Sequence, residues 1–223
     1  MTRGWQFSRP AVVAREATAW LFGPVVVWFL RGPRVSGREH LRGLEHPFLL
    51  CPSHASHFDF SAVRLALRSR HRQRIAAAVA ADYFTVSPVR WFFAAWLGAF
   101  PFNRTGHGGH ESIDEALALL EAGWSVLVFP EGTRSRTGVM APFHPGIGLI
   151  AVRSGRQALP VRILGIERVL PPGSIRPRRA QVEVRFGPPL RAEPGEDPRA
   201  FAARLEAAVR ALGDGDGDSV GVA

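Results

Sequence analysis

The chain alternates between short apolar runs and longer stretches of helical spacing, and that alternation predicts its architecture. Segment 48–51 is a compact apolar run of strand type, and 75–80, 99–102, 125–129, 160–164 and 182–186 are similar. Between them lie stretches whose apolar residues recur at three- and four-residue intervals. These are 58–70 (Phe60, Val63, Leu65, Leu67), 88–97 (Trp91, Phe92, Phe93, Trp96), 111–121, 146–153 and 198–212 (Phe201, Leu205, Val209, Leu212). Gly123 and Gly155 follow two of them as helix stops. Segment 31–46, with Pro33, Gly37 and Gly43, reads as irregular. Strands alternating with helices predict an α/β fold, a mixed and mostly parallel sheet flanked by helices. No repeat or linker interrupts it. The chain divides into an N-terminal apolar helix (1–34), one domain (35–212) and a Gly/Asp-rich disordered tail (213–223).

The first helical stretch, 11–30, stands apart, with Pro24 as a kink position. Its core, 17–30, is wholly apolar and holds Trp20, Phe22, Trp28 and Phe29, but falls short of the ~20 residues that span a bilayer. Arg15 and Glu16 precede the run, and Arg31 and Arg34 follow it. Tryptophans flanked by arginines predict a helix lying in the membrane interface; the competing reading is an amphipathic helix packed on the domain. No small-residue cleavage site follows, which argues against a signal peptide.

Composition changes this picture in two ways. The net charge is +9 over 223 residues, and every basic residue is arginine. Such a surface attracts phosphate, in an anionic bilayer, a nucleic acid or a small molecule, and arginine grips it with a bidentate fork. The single cysteine, Cys51, cannot form an internal disulfide and reads as a buried small hydrophobe in a reducing compartment.

Four short motifs carry candidate chemistry. Ser53-His54-Ala55-Ser56-His57-Phe58-Asp59 lies between a strand and a helix. Residues five apart on one helix diverge by about 140° at ~100° per residue, so His54 and Asp59 meet only if His54 lies in the preceding turn. Ser56 is placed to cap the helix, and Ser56-x-x-Asp59 has capping-box spacing. Asp59 then reaches back to one imidazole nitrogen and leaves the other as a general base. A helix-capping role for Asp59 alone fits the heptapeptide equally well. Metal binding by His54, His57 and Asp59 is disfavoured, because Phe60 stands where a further histidine belongs. Phe100-Pro101-Phe102-Asn103-Arg104 ends a strand on an arginine suited to clamp an anion. Phe129-Pro130-Glu131-Gly132-Thr133-Arg134-Ser135 is a tight turn whose Gly132 admits close backbone approach and whose Thr133, Arg134 and Ser135 donate to oxygen. Glu131 accepts from a ligand hydroxyl or holds Arg134 or Arg104. Segment 159–165 reads as a core strand started by Pro160.

In that order and spacing, the four motifs resemble the glycerol-phosphate and lysophospholipid acyltransferase family across about residues 35–190. The resemblance implies that family's fold and an O-acyltransferase. An acyl chain passes from acyl-CoA or acyl-carrier protein to a hydroxyl of a lysophospholipid, with 1-acyl-sn-glycerol-3-phosphate as the leading acceptor and phosphatidate as product. It implies His54 as base and Asp59 as its orienting partner, with Arg104, Glu131, Gly132, Thr133 and Arg134 binding the acceptor phosphate. It implies no metal and no cofactor beyond the thioester co-substrate, no nucleic-acid partner, and residence at the cytoplasmic face of the cell membrane, peripheral or monotopic. The chain departs from the pattern at Ser53, where asparagine is usual, and lacks family lysines near 80–84 and at His144. Another lysolipid or a non-phosphorylated acceptor therefore stays open, as does a basic membrane- or nucleic-acid-binding protein without catalysis.

Overall fold

The computed structural model describes residues 4–81, 97–103, 106–135, 139–171, 174 and 176–213. The predicted helix 88–97, the region 82–84, Arg104 and all of the tail after Gly213 lie outside the described residues, apart from Leu97.

Among the described residues seven strands form one sheet in the order β1-β7-β6-β2-β5-β3-β4. They are β1 (Arg34–Ser36), β2 (Leu49–Pro52), β3 (Ile75–Ala80), β4 (Ala99–Phe102), β5 (Ser125–Leu127), β6 (Ala158–Leu164) and β7 (Glu183–Phe186). The five strands from β6 to β4 run parallel, and β7 reverses against β6, with β1 parallel to β7. This is the mixed, mostly parallel sheet that the alternation predicts. Its central strands lie between helical layers, so they are apolar on both faces and carry no period-two signal.

Two cores fill the layers. On one face Leu50, Ile75, Ala77, Leu127, Leu159 and Val161 pack beneath α1 (Arg9–Phe29) and α2 (Asp59–Ala66). On the other, Leu49, Cys51, Ala76, Val126 and Ala158 meet α4 (Gly106–Glu121), α5 (Pro145–Ser154) and α6 (Pro198–Ala211). Gly148 on α5 is required for that layer, because a Cβ there would lie 1.8 Å from the Pro198 carbonyl oxygen. Cys51 is buried, and burial raises the pKa of its thiol, which keeps it an inert part of the core.

Three local expectations are corrected. Segment 31–46 contains β1, a three-residue strand too short to show a pattern, which exists because Val35 pairs with Val184 on β7. The single helix over 58–70 is two pieces. Leu67 and Arg68 turn extended, ending α2 and starting the four-residue α3 (Ser69–Arg72). Ser56 does not cap α2 with its side chain: the capping position falls on Phe58, and the Ser56 carbonyl accepts the Asp59 N–H.

Helix α1 is longer than its apolar run, 21 residues, and by length and composition it is long and apolar enough to cross a membrane. Pro24 sits inside it without ending it. Its polarity is inverted with respect to an ordinary surface helix. Arg15 is 2% exposed and donates to the Gln6 carbonyl. Glu16 is held by two guanidinia, 2.8 Å from Arg64 on α2 and 2.7 Å from Arg72 on α3. Val26, Phe29 and Leu30 join the core, while Trp20, at 83% exposure, stands outside with Leu21, Phe22, Val25 and Trp28.

Candidate active site

β2 and β5 are parallel neighbours, Leu49 opposite Val126 and Leu50 opposite Leu127, so the turns leaving their C-terminal ends emerge side by side. Open α/β sheets bind ligands at that end. One turn carries Ser53 to Asp59; the other carries Phe129 to Ser135.

Ser53 fastens the first turn to β6. Its N–H donates to the Val161 carbonyl at 3.0 Å, and its hydroxyl oxygen accepts the Ile163 N–H at 3.0 Å. The side chain thus continues the β2–β6 ladder one step past the strand. His54 comes next, in the turn, and Asp59 opens α2. The carboxylate oxygen Oδ2 of Asp59 lies 2.8 Å from His54 Nδ1 and accepts the Ala55 and Ser56 N–H groups at 2.7 and 2.9 Å. The bond to Ser56 has capping-box spacing but closes the turn ahead of α2, since Phe58 holds the capping position. Asp59 is fully buried, while the His54 side chain is one-fifth exposed. An ionised carboxylate only accepts, so the imidazole proton sits on Nδ1. Nε2 then bears the lone pair, and it makes no hydrogen bond among the described residues.

The second turn grips His54 from the other side. Glu131 Oε1 accepts the His54 N–H at 2.7 Å, and the Ser135 N–H donates to the His54 carbonyl at 2.9 Å. The Phe129 ring stacks on the imidazole, centroids 4.0 Å apart and planes 22° from parallel. Backbone and ring are therefore both fixed by residues that the sheet order, not the sequence order, brings near.

Glu131 differs from its expected place. It is 3% exposed, and its second oxygen accepts the Ala141 N–H at 2.8 Å. Burial raises its pKa above the ordinary glutamate value, opposed by the N–H groups of Ala141 and His54. It ties the two turns and the 139–144 segment together instead of pairing with Arg134. Gly132 has φ +68°, a left-handed conformation that glycine adopts without penalty, and its N–H closes the turn on the Phe129 carbonyl. Thr133 and Arg134 stand exposed at the tip. His57 is also exposed, and among the described residues no three metal-ligating side chains converge. Asn103 follows β4, its N–H donating to the Ser112 hydroxyl at 2.7 Å; Arg104, the residue after it, is outside the described residues.

Phe129 and Ser135 gained positions against His54 that their motif did not disclose. A further pair had no signal in the sequence. At the opposite, N-terminal end of the sheet His46 Nε2 lies 2.7 Å from His71 Nδ1, the rings are stacked, and Arg70 donates to His71 Nε2 at 3.0 Å. Burial is the largest cause lowering both pKa values, that of His71 to about 4.

A histidine–aspartate pair at the carboxyl edge of such a sheet, clamped by a glycine-bearing turn from the next strand, has the geometry of a general-base site. The family model named Acyltransferase matches residues 32–164, and the chain belongs to that family. Among its relatives is the chloroplastic 1-acyl-sn-glycerol-3-phosphate acyltransferase of Brassica napus, 27% identical over 141 residues, 63% of this chain and 39% of the relative. The 1-acyl-sn-glycerol-3-phosphate acyltransferase of Cocos nucifera is 34% identical over 88 residues, 39% of this chain and 29% of the relative. The chain thus spans about two fifths or less of the length of these curated relatives. The crystal structure of the 1-acyl-sn-glycerophosphate acyltransferase PlsC from Thermotoga maritima shares the fold, with a TM-score of 0.63 and 21% identity over 90% of this chain and 82% of that one.

Proposed function

We propose that this acyltransferase moves a fatty acyl group from acyl-CoA or acyl-carrier protein to the free hydroxyl of a lysophospholipid, with 1-acyl-sn-glycerol-3-phosphate as acceptor and phosphatidate as product. His54 Nε2 takes the hydroxyl proton as the acceptor oxygen attacks the thioester carbonyl. The tetrahedral intermediate then expels the thiolate, which takes that proton back from the imidazolium, leaving an ester and a free thiol. Asp59 holds the Nδ1–H tautomer and balances the charge on the imidazolium. Gly132, Thr133 and Arg134 meet the acceptor phosphate, joined by Arg104, which comes two residues after β4 in the sequence. Glu131 acts through backbone, holding base and acceptor turn as one unit. No metal or cofactor enters the scheme, and the protein works at the cytoplasmic membrane face.

The observation that carries this reading is the double hold on His54. Its ring is oriented by Asp59 at 2.8 Å, and its backbone is clasped by the turn that carries the proposed phosphate ligands. The names of the relatives supply the acceptor. Purified protein given an acyl-CoA and a panel of lysophosphatidate, other lysolipids and neutral alcohols is expected to release free thiol fastest with lysophosphatidate, and His54→Ala to abolish release. Preference for a neutral acceptor would overturn the headgroup assignment, and full rate in His54→Ala would overturn the mechanism.

A further inference from the structure

Segment 139–144 leads into α5 and belongs to no helix or strand. Met140 and Phe143 are buried in the same core as Phe201, Leu205 and Val209 of α6, while Val139 and His144 are exposed. Backbone polar groups in such a segment must find partners outside it. Along 140–144 the partners come by turns from two places. The Met140 carbonyl accepts from Arg210 Nη2 at 2.9 Å, and the Phe143 N–H donates to Glu206 Oε2 at 2.9 Å; both side chains stand on α6. The Ala141 N–H donates to Glu131 Oε2 at 2.8 Å, and the His144 N–H donates to the Pro130 carbonyl at 2.9 Å; both partners belong to the turn that clasps His54.

The Glu206–Arg210 pair has a plainer reading. The two lie four residues apart on α6, with Arg210 Nε 2.9 Å from Glu206 Oε1, and such pairs staple many helices. That reading does not account for what the two side chains do towards 139–144. There the polarity is matched: the cation meets a carbonyl, and the carboxylate meets an N–H. The Met140–Ala141 peptide carries this match towards the site. Its C=O and N–H lie in one plane, so a group that fixes one fixes the other. Arg210 holds that plane by the oxygen and Glu131 holds it by the N–H, while the other oxygen of Glu131 accepts the His54 N–H at 2.7 Å. A donor on the carbonyl also polarises the peptide and strengthens the bond that its N–H makes.

We propose that Arg210 and Glu206 are positioning residues for the transfer reaction, acting on His54 through the Met140–Ala141 peptide and Glu131. α2 and α6 pack on opposite faces of the sheet. The base is thus held from both faces, its ring by Asp59 on α2 and its backbone by α6 through Glu131. The inference rests on the reading of His54 as the base of acyl transfer and adds to it two residues that touch no substrate.

The test swaps the pair. Glu206→Arg with Arg210→Glu keeps opposite charges four residues apart on α6, and so keeps the helix staple. It inverts the polarity towards 139–144, where a cation then faces the Phe143 N–H and a carboxylate faces the Met140 carbonyl. Amide hydrogen exchange, read residue by residue on the full chain, should quicken at Ala141 and His54 by about tenfold or more, the worth of one charge-assisted hydrogen bond. With acyl-CoA and lysophosphatidate, kcat should fall by a similar factor and the lysophosphatidate KM should rise, while the acyl-CoA KM holds. Arg210→Ala, which leaves Glu206 on Phe143, should move the same amides and constants by less, and it decides the matter if the swapped pair does not fold. Exchange and kinetics like those of the unmodified chain would show that the pair only staples α6. Quickened exchange confined to 140–144 and α6, with His54 unmoved, overturns the proposal as well. So does a lower kcat with both KM values unchanged and His54 still protected, which is the signature of a smaller folded fraction. Absence of turnover in the unmodified chain counts instead against the acyl-transfer reading, and the exchange result stands without it.

Discussion

Asp59→Asn separates the charge of the pair from its geometry. The Asp59 oxygen Oδ2 accepts three N–H groups, from the His54 ring and from Ala55 and Ser56. An asparagine oxygen in that place accepts the same three, so the ring keeps its orientation and its Nδ1 proton. What disappears is the negative charge facing the imidazolium that forms as the hydroxyl proton is taken. Charges centred about 4 Å apart at an effective dielectric of ~20 attract by about 4 kcal/mol. Lost from the transition state, that is about a thousandfold in kcat. KM should hold, since the acceptor touches neither atom. The amide NH2 falls at Oδ1, which is buried and has no hydrogen-bond partner among the described residues. An unpartnered buried donor costs about 1–3 kcal/mol of stability. The assay is thiol release under saturating acyl-CoA and lysophosphatidate, at a temperature where circular dichroism shows the variant folded. A kcat within tenfold of the unmodified enzyme would refute the claim that the Asp59 charge works in the transition state.

Two further predictions follow from other buried groups. Glu131→Ala strips acceptors from the His54 and Ala141 N–H groups at once, so it should cost about 3–5 kcal/mol in urea unfolding and lower kcat as well. Glu131→Gln should not restore either, because its NH2 must face one of those two donors; a Gln variant of normal stability would show that Glu131 holds nothing. His71, neutral in the fold with a pKa of about 4 against an ordinary 6.5, stabilises the protein fully above pH 6.5. About 3 kcal/mol of that is lost as pH falls towards 4, where the unfolded chain binds the proton that the fold excludes. Unfolding curves across that range should flatten in His71→Leu, and parallel losses in both proteins would place the acid sensitivity elsewhere.

Much of the sheet was readable because its central strands are apolar runs bounded by turn residues. β3 begins and ends where its run does, and so does β4 at the edge. β1 left no trace, since a three-residue edge strand is defined by its partner β7, far along the chain. The pairing of His54 with Asp59 could be argued from spacing, as both lie within one strand-to-helix turn. The hold of Glu131, Phe129 and Ser135 on His54 could not, because it depends on β5 settling beside β2. For α1 the apolar run was plain, yet Arg15 and Glu16 read as its flank. Glu16 faces the domain because Arg64 and Arg72 wait there, and Arg15 turns in to donate to the Gln6 carbonyl, partners that no local pattern encodes. His46 and His71 were silent for the same reason.

The Glu16 clasp has a consequence for how substrate is found. Glu16 ties α1 to Arg64, and Arg64 lies on α2, whose first residue is Asp59. α1 and Asp59 are thus coupled through one ion pair and one short helix. With the protein at the membrane face, as proposed, His54 keeps a set height above the lipid, and its target plane is the layer of headgroups in which lysolipids diffuse. Encounter with the acceptor then becomes a search in two dimensions, governed by surface density, while the thioester donor still arrives through three.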